Sequence, residues 1–276
     1  MPLYYIIVLA LVQGITEFLP ISSSAHLLFV HAAINNGTLK AAWDDDLIMD
    51  LAVHVGTLLS VLLYFHKDVF RMIGGLKDFA TGNRQSEKSR LLLYVIVGSI
   101  PVIIVGAIVN ILEPAILRNL HVITITTIVF GILLWWADKK FPVSRKVSDL
   151  TLRDAILIGL AQTIALIPGT SRSGITMTAG RMLGLNRTES AHYSLLLAMV
   201  VTSAAGTLGA LRLVRADNVA LTGDALIAVI LSFIAGFIAI AGMMRFLKTT
   251  GFAPYAIYRV GMGIVLIWLI YTGVIN

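Results

Sequence analysis

Residues 11–26, LVQGITEFLPISSSAH, and residues 160–176, LAQTIALIPGTSRSGIT, decide the fold of this chain. Both segments run from Leu-x-Gln through apolar residues to a proline, and then to a small, hydroxyl-rich turn. Each holds an ionisable side chain within a long apolar run, Glu17 in the first and Arg172 in the second. A charge in hydrocarbon costs several kcal/mol, so a chain that keeps one there generally uses it. We therefore expect function to reside in these two segments.

The composition is that of an integral membrane protein. Hydrophobic residues make up 58% of the 276 residues and charged residues only 13%, about half the share of a soluble domain. The Lys and Arg behind the net charge of +6 lie in loops between apolar runs, so we expect no nucleic-acid partner. The absence of cysteine excludes a disulfide framework and a thiol nucleophile. No basic n-region precedes the apolar start, which we expect to be mature structure.

Six stretches are long and apolar enough to cross a bilayer: roughly 47–66, 91–111, 119–137, 189–211, 225–246 and 254–275. Two further apolar regions, about 3–34 and 152–185, are broken near the middle by Pro20 and by Pro168-Gly169. Proline removes a backbone donor and disfavours helix just before it. We expect two re-entrant helix hairpins whose turns are buried in protein or line a wet cavity.

This order predicts an all-α, polytopic membrane protein with an inverted-topology repeat. Three spans follow each hairpin, so the second unit must enter the membrane from the side opposite the first. We expect one membrane domain over 1–276, with a first repeat over 1–137, a second over 151–276, and a linker at about 138–153. Discontinuous segments of such repeats place binding sites near the bilayer midplane.

The basic residues predict the orientation. Fifteen Lys and Arg fall on one side of this topology and four on the other, a positive-inside bias. Both termini and the first hairpin are then expected to open to the outside, with the second hairpin entering from the cytoplasm. The run Asp44-Asp45-Asp46 resembles a metal-binding cluster, but it lies in a predicted loop and is interpreted as a solvated face.

The first hairpin combines an acid, hydroxyl groups and an imidazole. Gln13 and Glu17 are four apart, so on a helix they face the same way and can share a ligand. Ser22 or Ser23 is a natural N-cap for the helix that follows the turn. Ser23 and His26 are three apart, which predicts a nucleophile-and-base pair on one face. The alternative is that the serines only cap and His26 packs as a neutral core residue.

The second hairpin supplies the complementary charge. Several hydroxyl groups and Arg172 begin a helix, and a helix N-terminus with an arginine fork fits phosphate oxygens. The alternative is that Arg172 only pairs with Glu17 to neutralise both buried charges. A carboxylate and amide oxygens suit a hard cation, Mg²⁺ or Ca²⁺. A phosphate site embedded in lipid indicates a lipid phosphate or diphosphate as substrate.

The two motifs resemble those of the bacterial undecaprenyl-diphosphatase family, also called the bacitracin-resistance family. Its signatures stand here as Gln13 to Glu17 with Pro20 to His26, and as Pro168 to Thr176, and the resemblance covers essentially the whole chain. The resemblance implies hydrolysis of undecaprenyl diphosphate to undecaprenyl phosphate and phosphate. It also implies recycling of the lipid carrier for peptidoglycan synthesis, bacitracin resistance, and a site opening to the periplasmic side of the bacterial inner membrane.

The resemblance further implies a role for each residue. Glu17 and Gln13 would bind the divalent cation, Ser23 would be the nucleophile, and His26 would act as base or acid. The diphosphate would be held by Arg172 and a group of hydroxyl side chains, Ser22, Ser171, Ser173 and Thr176. Gln13 stands where many relatives have Glu, which weakens any claim of two carboxylates on one ion. Direct attack by Ser23 and attack by a metal-activated water are both left open.

Two other functions compete with this interpretation. Inverted repeats with broken helices are common in transporters, so a polyprenyl-phosphate flippase or transporter is the chief alternative. Such a carrier would need Glu17 and Arg172 but not Ser23. An intramembrane serine protease is disfavoured because the Gly-x-Ser-Gly form is missing.

Further positions outside the two motifs carry expectations of their own. His54 could line the pocket or simply pack in its span. Arg259 is expected to snorkel from a helix end or to form an internal ion pair. The small residues at 204–206 and Gly236 could pack within the chain or between chains, so a homodimer is one expected assembly.

Overall fold

The computed structural model of the protein describes residues 3–34, 47–112, 114–215 and 223–275. The regular secondary structure of these ranges is helical, with one isolated bridge between Arg145 and Leu185 as their sole β-pairing. The helices are α1 Leu3–Thr16, α2 Ser23–Ile34, α3 Leu47–Tyr64, α4 His66–Ala80, α5 Glu87–Leu112, α6 Leu120–Lys140, α7 Leu152–Thr163, α8 Arg172–Met182, α9 Arg187–Arg215, α10 Gly223–Phe246 and α11 Ala253–Tyr271. The predicted all-α class is confirmed. The acidic run at 44–46 lies outside the described residues.

Among the described residues, four helices are long and apolar enough to cross a membrane: α5, α6, α10 and α11. They correspond to four of the six predicted spans, and the protein is a multi-pass membrane protein. A fifth span results if α3 and α4 are counted as one, but the pair is bent by 81°. The bend has a physical reason, because α4 carries a charged face that favours the interface over hydrocarbon. The predicted span at 189–211 lies within α9.

Both proline-broken regions are pairs of short helices, as predicted. The chain leaves α1 at Thr16 and re-enters helix at Ser23, and it leaves α7 at Thr163, passes through a 3-10 turn at 164–166, and begins α8 at Arg172. The longest of these four helices, α1, has 14 residues. At 1.5 Å per residue it extends about 21 Å, short of the roughly 30 Å of bilayer hydrocarbon. None of the four can therefore cross alone.

Each broken region packs against helices of the other half of the chain. Helix α1 contacts α10 as well as α3, and α7 contacts α5 as well as α8, while α6 contacts both α2 and α8. The contact of α1 with α10 depends on small residues, since a Cβ placed on Gly14 would lie 2.6 Å from the Ala235 Cβ. Gly236 packs within the chain, because its own Cβ would meet the Ser60 hydroxyl at 2.6 Å. This arrangement brings the two turns into contact with each other.

Ion pairs hold the linker between the two halves of the chain. They lie outside the two turns. Asp138, at the end of α6, accepts from Arg181 Nε at 3.1 Å and from Arg187 Nε at 2.8 Å. Arg145 Nη2 donates to Asp154 at 2.6 Å, in the first turn of α7. These bonds fix both ends of the second broken region to the linker.

Candidate active site

The acid of the first turn and the guanidinium of the second turn are in direct contact. Arg172 Nη2 donates to Glu17 Oε1 at 3.0 Å, and both side chains are largely buried, with 14% and 12% of their surfaces exposed. The predicted meeting of the two broken regions is confirmed. The alternative that the two charges only neutralise each other is also consistent with this geometry. The groups around the pair therefore decide between a binding site and a structural ion pair.

The two turns also exchange hydrogen bonds through their serines. The backbone N–H of Gly169 donates to Ser24 Oγ at 3.3 Å, and Ser173 Oγ donates to the carbonyl oxygen of Leu19 at 2.9 Å. Each turn therefore binds the other through one hydroxyl group. This reciprocal contact fixes the separation of the two helix starts that follow, α2 and α8.

The residues just before α2 and α8 have the same unusual backbone. Ser22 has φ 72° and Ser171 has φ 70°, and they are the two non-glycine residues with positive φ in the described part of the chain. Such a conformation costs about 1–3 kcal/mol and is concentrated at functional sites. Ser171 caps α8 by accepting from the Gly174 N–H at 3.1 Å. These strained residues lie at the starts of α2 and α8, whose first residues, Ser23 and Arg172, both contact Glu17; the space around these three side chains is called the chamber below.

Glu17 is the centre of a hydrogen-bond cluster in this chamber. Its Oε2 accepts from Ser23 Oγ at 3.0 Å and from Gln13 Nε2 at 3.0 Å. Gln13 Nε2 also lies 3.2 Å from His54 Nε2, so His54 lines the site, one of the two outcomes expected for it. The His54 Nδ1–H donates to the Asp50 carbonyl oxygen at 2.6 Å, which leaves Nε2 free to accept from Gln13.

The structure shows no hydrogen bond between Ser23 and His26, the nucleophile-and-base pair that their spacing predicts. His26 Nδ1 lies 2.7 Å from the Ser22 carbonyl oxygen and Nε2 lies 2.6 Å from the Tyr258 hydroxyl, so both ring nitrogens have other partners. The physical reason is local: the Ser22 carbonyl, four residues earlier, orients the ring toward α11. In this structure the group in contact with the Ser23 hydroxyl is the Glu17 carboxylate.

Three of the predicted diphosphate ligands lie behind the chamber rather than in it. Ser22, Ser173 and Thr176 are each at most 1% exposed. The Thr176 hydroxyl contacts Ser194 Oγ at 2.6 Å, because α9 covers this face of α8. These hydroxyls therefore support the site from within the protein. Ser171 is slightly exposed, and Arg172 points into the chamber, where its Nη1 also donates to the Ser194 carbonyl oxygen at 3.4 Å.

The sequence did not reveal the roles of Arg259 and Tyr258. Arg259 is fully buried and donates to backbone carbonyl oxygens, at 2.8 Å for Gly169 and 2.9 Å for Thr170, so neither the snorkelling nor the ion pair expected of it is found. Through these bonds Arg259 holds the second turn at Gly169, which has a φ of 88°. An arginine in an otherwise apolar helix is the signal that could have drawn attention to this neighbourhood.

The donor set around Glu17 fits a divalent cation that arrives with substrate. In the described part of the chain no group of three or more His, Cys, Asp or Glu could hold a metal ion. Within that part, however, Gln13 Oε1 is buried without a hydrogen-bond partner, beside the Glu17 carboxylate. Mg²⁺ usually keeps several waters and takes one or two carboxylates plus substrate phosphates. One carboxylate and one unpaired amide oxygen meet that requirement.

An apolar groove adjoins the chamber. A cavity of about 830 Å³ is lined by α1, α10 and α11, and His26 and Tyr258 belong to its wall. Its remaining lining is almost entirely apolar and includes Ile234 and Ile238, which are 47% and 65% exposed. The groove therefore opens toward the surroundings of the helix bundle, which for such helices is lipid.

Comparison with known proteins gives the same family that the two motifs resemble. The sequence profile described as Bacitracin resistance protein BacA matches residues 6–265. A protein named undecaprenyl-diphosphatase from Ruegeria pomeroyi is 40% identical over 274 residues, which is 99% of this chain and 100% of the relative. Proteins of the same name from Alteromonas mediterranea (43% identical, 99% and 100% covered) and Maricaulis maris (44% identical, 97% and 98% covered) are similarly close. This chain belongs to the bacitracin resistance protein BacA family.

Proposed function

We propose that this protein is a membrane phosphatase that hydrolyses undecaprenyl diphosphate to undecaprenyl phosphate and inorganic phosphate. The observation that carries the proposal is the contact of Glu17 with both Ser23 and Arg172, next to an apolar groove. A carboxylate, a hydroxyl and a guanidinium suit phosphoryl transfer, in which catalysis is mainly positioning and charge neutralisation. The names of the relatives support the same substrate.

The chain's own residues account for the chemical steps. Ser23 Oγ attacks the terminal phosphorus, its proton passes to Glu17 Oε2, and the bond from that phosphorus to the bridging oxygen breaks. Undecaprenyl phosphate leaves, and Arg172 neutralises charge on the phosphate oxygens. Water then cleaves the phosphoserine, releasing phosphate and restoring the Ser23 hydroxyl. His26 would transfer a proton to the leaving oxygen or from the attacking water through Nε2, which exchanges its hydrogen bond with the Tyr258 hydroxyl for one with that oxygen.

A divalent cation, Mg²⁺ or Ca²⁺, is part of this proposal. Glu17 and the unpaired Gln13 Oε1 would hold it. Once bound with the diphosphate, the cation would neutralise phosphate charge that Arg172 alone cannot balance. Because Arg172 already contacts Glu17, the guanidinium lies beside the carboxylate at which the cation and the diphosphate would meet.

The apolar groove is the proposed site of the prenyl tail. Its volume of about 830 Å³ lies within the roughly 300–1,000 Å³ range of ligand cavities. Its wall includes His26, so a tail in the groove places the attached diphosphate beside the catalytic residues. A soluble substrate would have no use for a groove that opens to lipid.

The proposal includes a topology. The short helices of 3–34 and 152–185 form re-entrant hairpins in an inverted repeat of 1–137 and 151–276, embedded with six spans in a bacterial inner membrane. Both termini and the chamber face the periplasm, since the basic loops favour the cytoplasm. In this position the enzyme would recycle the lipid carrier of peptidoglycan synthesis and thereby confer resistance to bacitracin.

A polyprenyl-phosphate flippase is a second candidate, because each broken region packs against the other half of the chain, as in transporters. The two functions differ in their need for a nucleophile.

Purified protein should release phosphate from undecaprenyl diphosphate in detergent, should lose that activity in EDTA and should regain it with Mg²⁺ or Ca²⁺. Ser23→Ala should lower the rate at least 100-fold, with exposed Ser148→Ala as the control. Phosphate release that survives Ser23→Ala would remove Ser23 as nucleophile.

A further inference from the structure

Tyr258 of α11 forms the shortest polar contact that His26 makes in the structure. Its hydroxyl lies 2.6 Å from His26 Nε2, although the two residues are 232 positions apart. The rings are also stacked, with centroids 5.5 Å apart and planes at 1°. An aromatic residue that only faced lipid would make neither contact. We infer that Tyr258 is a positioning residue for His26 in the proposed hydrolysis, on which this inference rests.

The hydrogen bonds define the tautomer of the neutral ring. A carbonyl oxygen can only accept, so the 2.7 Å contact with the Ser22 oxygen requires a proton on His26 Nδ1. Nε2 then carries a lone pair, and the Tyr258 O–H donates to it. When His26 takes up a proton, Nε2–H donates to the Tyr258 oxygen instead. Tyr258 therefore satisfies the same nitrogen before and after the proton transfer, and it holds the ring in one orientation in either protonation state.

The position of Tyr258 is fixed by its neighbour in sequence. Arg259 donates to the Thr127 carbonyl oxygen at 3.0 Å and to the Gly169 carbonyl oxygen at 2.8 Å, and it is fully buried. These bonds set the rotation of α11 relative to the second turn. Because Tyr258 directly precedes Arg259 on the helix, the same anchor holds its hydroxyl at His26.

Tyr258 and His26 also stand between two apolar grooves. Both residues line the large groove and a second cavity of about 400 Å³. The pair therefore forms a wall where a prenyl tail would pass. Removal of the hydroxyl alone keeps this wall, whereas removal of the ring opens it, and the two changes should affect different kinetic constants.

The test uses the full-length protein in detergent with farnesyl and undecaprenyl diphosphate as probes. Tyr258→Phe should lower kcat about 3- to 10-fold on both substrates, the effect of one hydrogen bond, with KM within about twofold. Tyr258→Ala should in addition raise KM for the undecaprenyl substrate. Tyr271→Phe, on the exposed end of the same helix, is the matched control and should match the parent. The thermal unfolding midpoint of Tyr258→Phe should equal that of the parent.

A double-mutant cycle separates positioning from general support. In a His26→Gln background, Tyr258→Phe should cause no further loss of kcat, because its effect passes through the imidazole. A parental kcat for Tyr258→Phe, an equal loss in both backgrounds, or parental activity of His26→Gln would overturn the inference. If the parent protein itself releases no phosphate, the proposed function has failed. If the parent is active and only the tyrosine result disagrees, the proposed function stands.

Discussion

Arg172 Nη2 lies 3.0 Å from Glu17 Oε1, and this bond joins residues 155 positions apart. Each residue belongs to a short apolar segment where an isolated charge would be expensive. The pair relieves that cost in the absence of substrate, while Glu17 Oε2 remains bonded to Ser23 and Gln13. A diphosphate has to compete with Glu17 for the guanidinium, so the resting pair holds Arg172 in place for its ligand.

The stability of the fold should depend on this pair. Glu17→Gln leaves a largely buried guanidinium without its counter-charge, and we expect a loss on the order of 3 kcal/mol. Arg172→Gln should cost a similar amount, but the double variant should cost less than the sum of the two. Thermal unfolding of the four proteins in detergent gives the coupling free energy. Strictly additive losses would show that the two charges do not interact.

The planar, two-donor geometry of the Arg172 guanidinium should matter for activity as well as its charge. Arg172→Lys keeps the positive charge but loses the planar pair of donors that reaches both Glu17 and the Ser194 carbonyl oxygen. We expect kcat/KM to fall about tenfold or more, from the loss of one charge-assisted hydrogen bond. Arg153→Lys, on an exposed position of α7, is the control. Equal kcat/KM for Arg172→Lys and the parent would mean that only charge is used.

The groove should select for the length of the tail. Gly242 lines the groove, and a Cβ placed there meets no atom within 4 Å in the described structure. Gly242→Leu should therefore narrow the groove without strain and raise KM for undecaprenyl diphosphate more than KM for farnesyl diphosphate. Gly223→Leu, at an equally open position of the same helix, should change neither. An unchanged ratio of the two KM values in Gly242→Leu would place the tail elsewhere.

The linker contact of α7 should make stability depend on pH. Burial opposes ionisation of Asp154, but hydrogen bonds from Arg145 and Thr151 prevail and hold the pKa of Asp154 below its ordinary value. A lowered pKa stabilises the folded state above the unfolded pKa of about 3.9, and this stability is lost as pH falls through the folded pKa. Asp154→Asn should therefore lower the unfolding temperature at pH 7.

The same substitution should matter less in acid, because the parent also loses the carboxylate charge there. The difference between the unfolding temperatures of the parent and Asp154→Asn should therefore narrow as pH falls below about 4. Asp149→Asn, on an exposed carboxylate of the linker, provides the comparison for a nearby loss of charge. A difference between parent and Asp154→Asn that is constant from pH 7 to pH 3 would contradict the assignment.

The sequence predicted those features that follow from local chemistry. Pro20 and Pro168 disfavour helix just before them and lead into turn-forming Ser and Gly residues, so both breaks were predictable, and buried charges of opposite sign predicted that Glu17 and Arg172 meet. The partner of His26 was not predictable, because Tyr258 comes from another helix and no spacing rule connects them. The burial of Thr176 was missed for a similar reason: it results from the packing of α9.

The central claim is that the meeting point of the two turns is a phosphatase site, and phosphate release from undecaprenyl diphosphate by the purified protein tests it most directly. We expect the parent to release one phosphate per substrate. Glu17→Gln should lower the rate about 100-fold or more, whereas Glu87→Gln, which removes an exposed carboxylate paired with Arg71, should retain it. A folded parent without phosphate release, or parental activity in Glu17→Gln, would contradict the account.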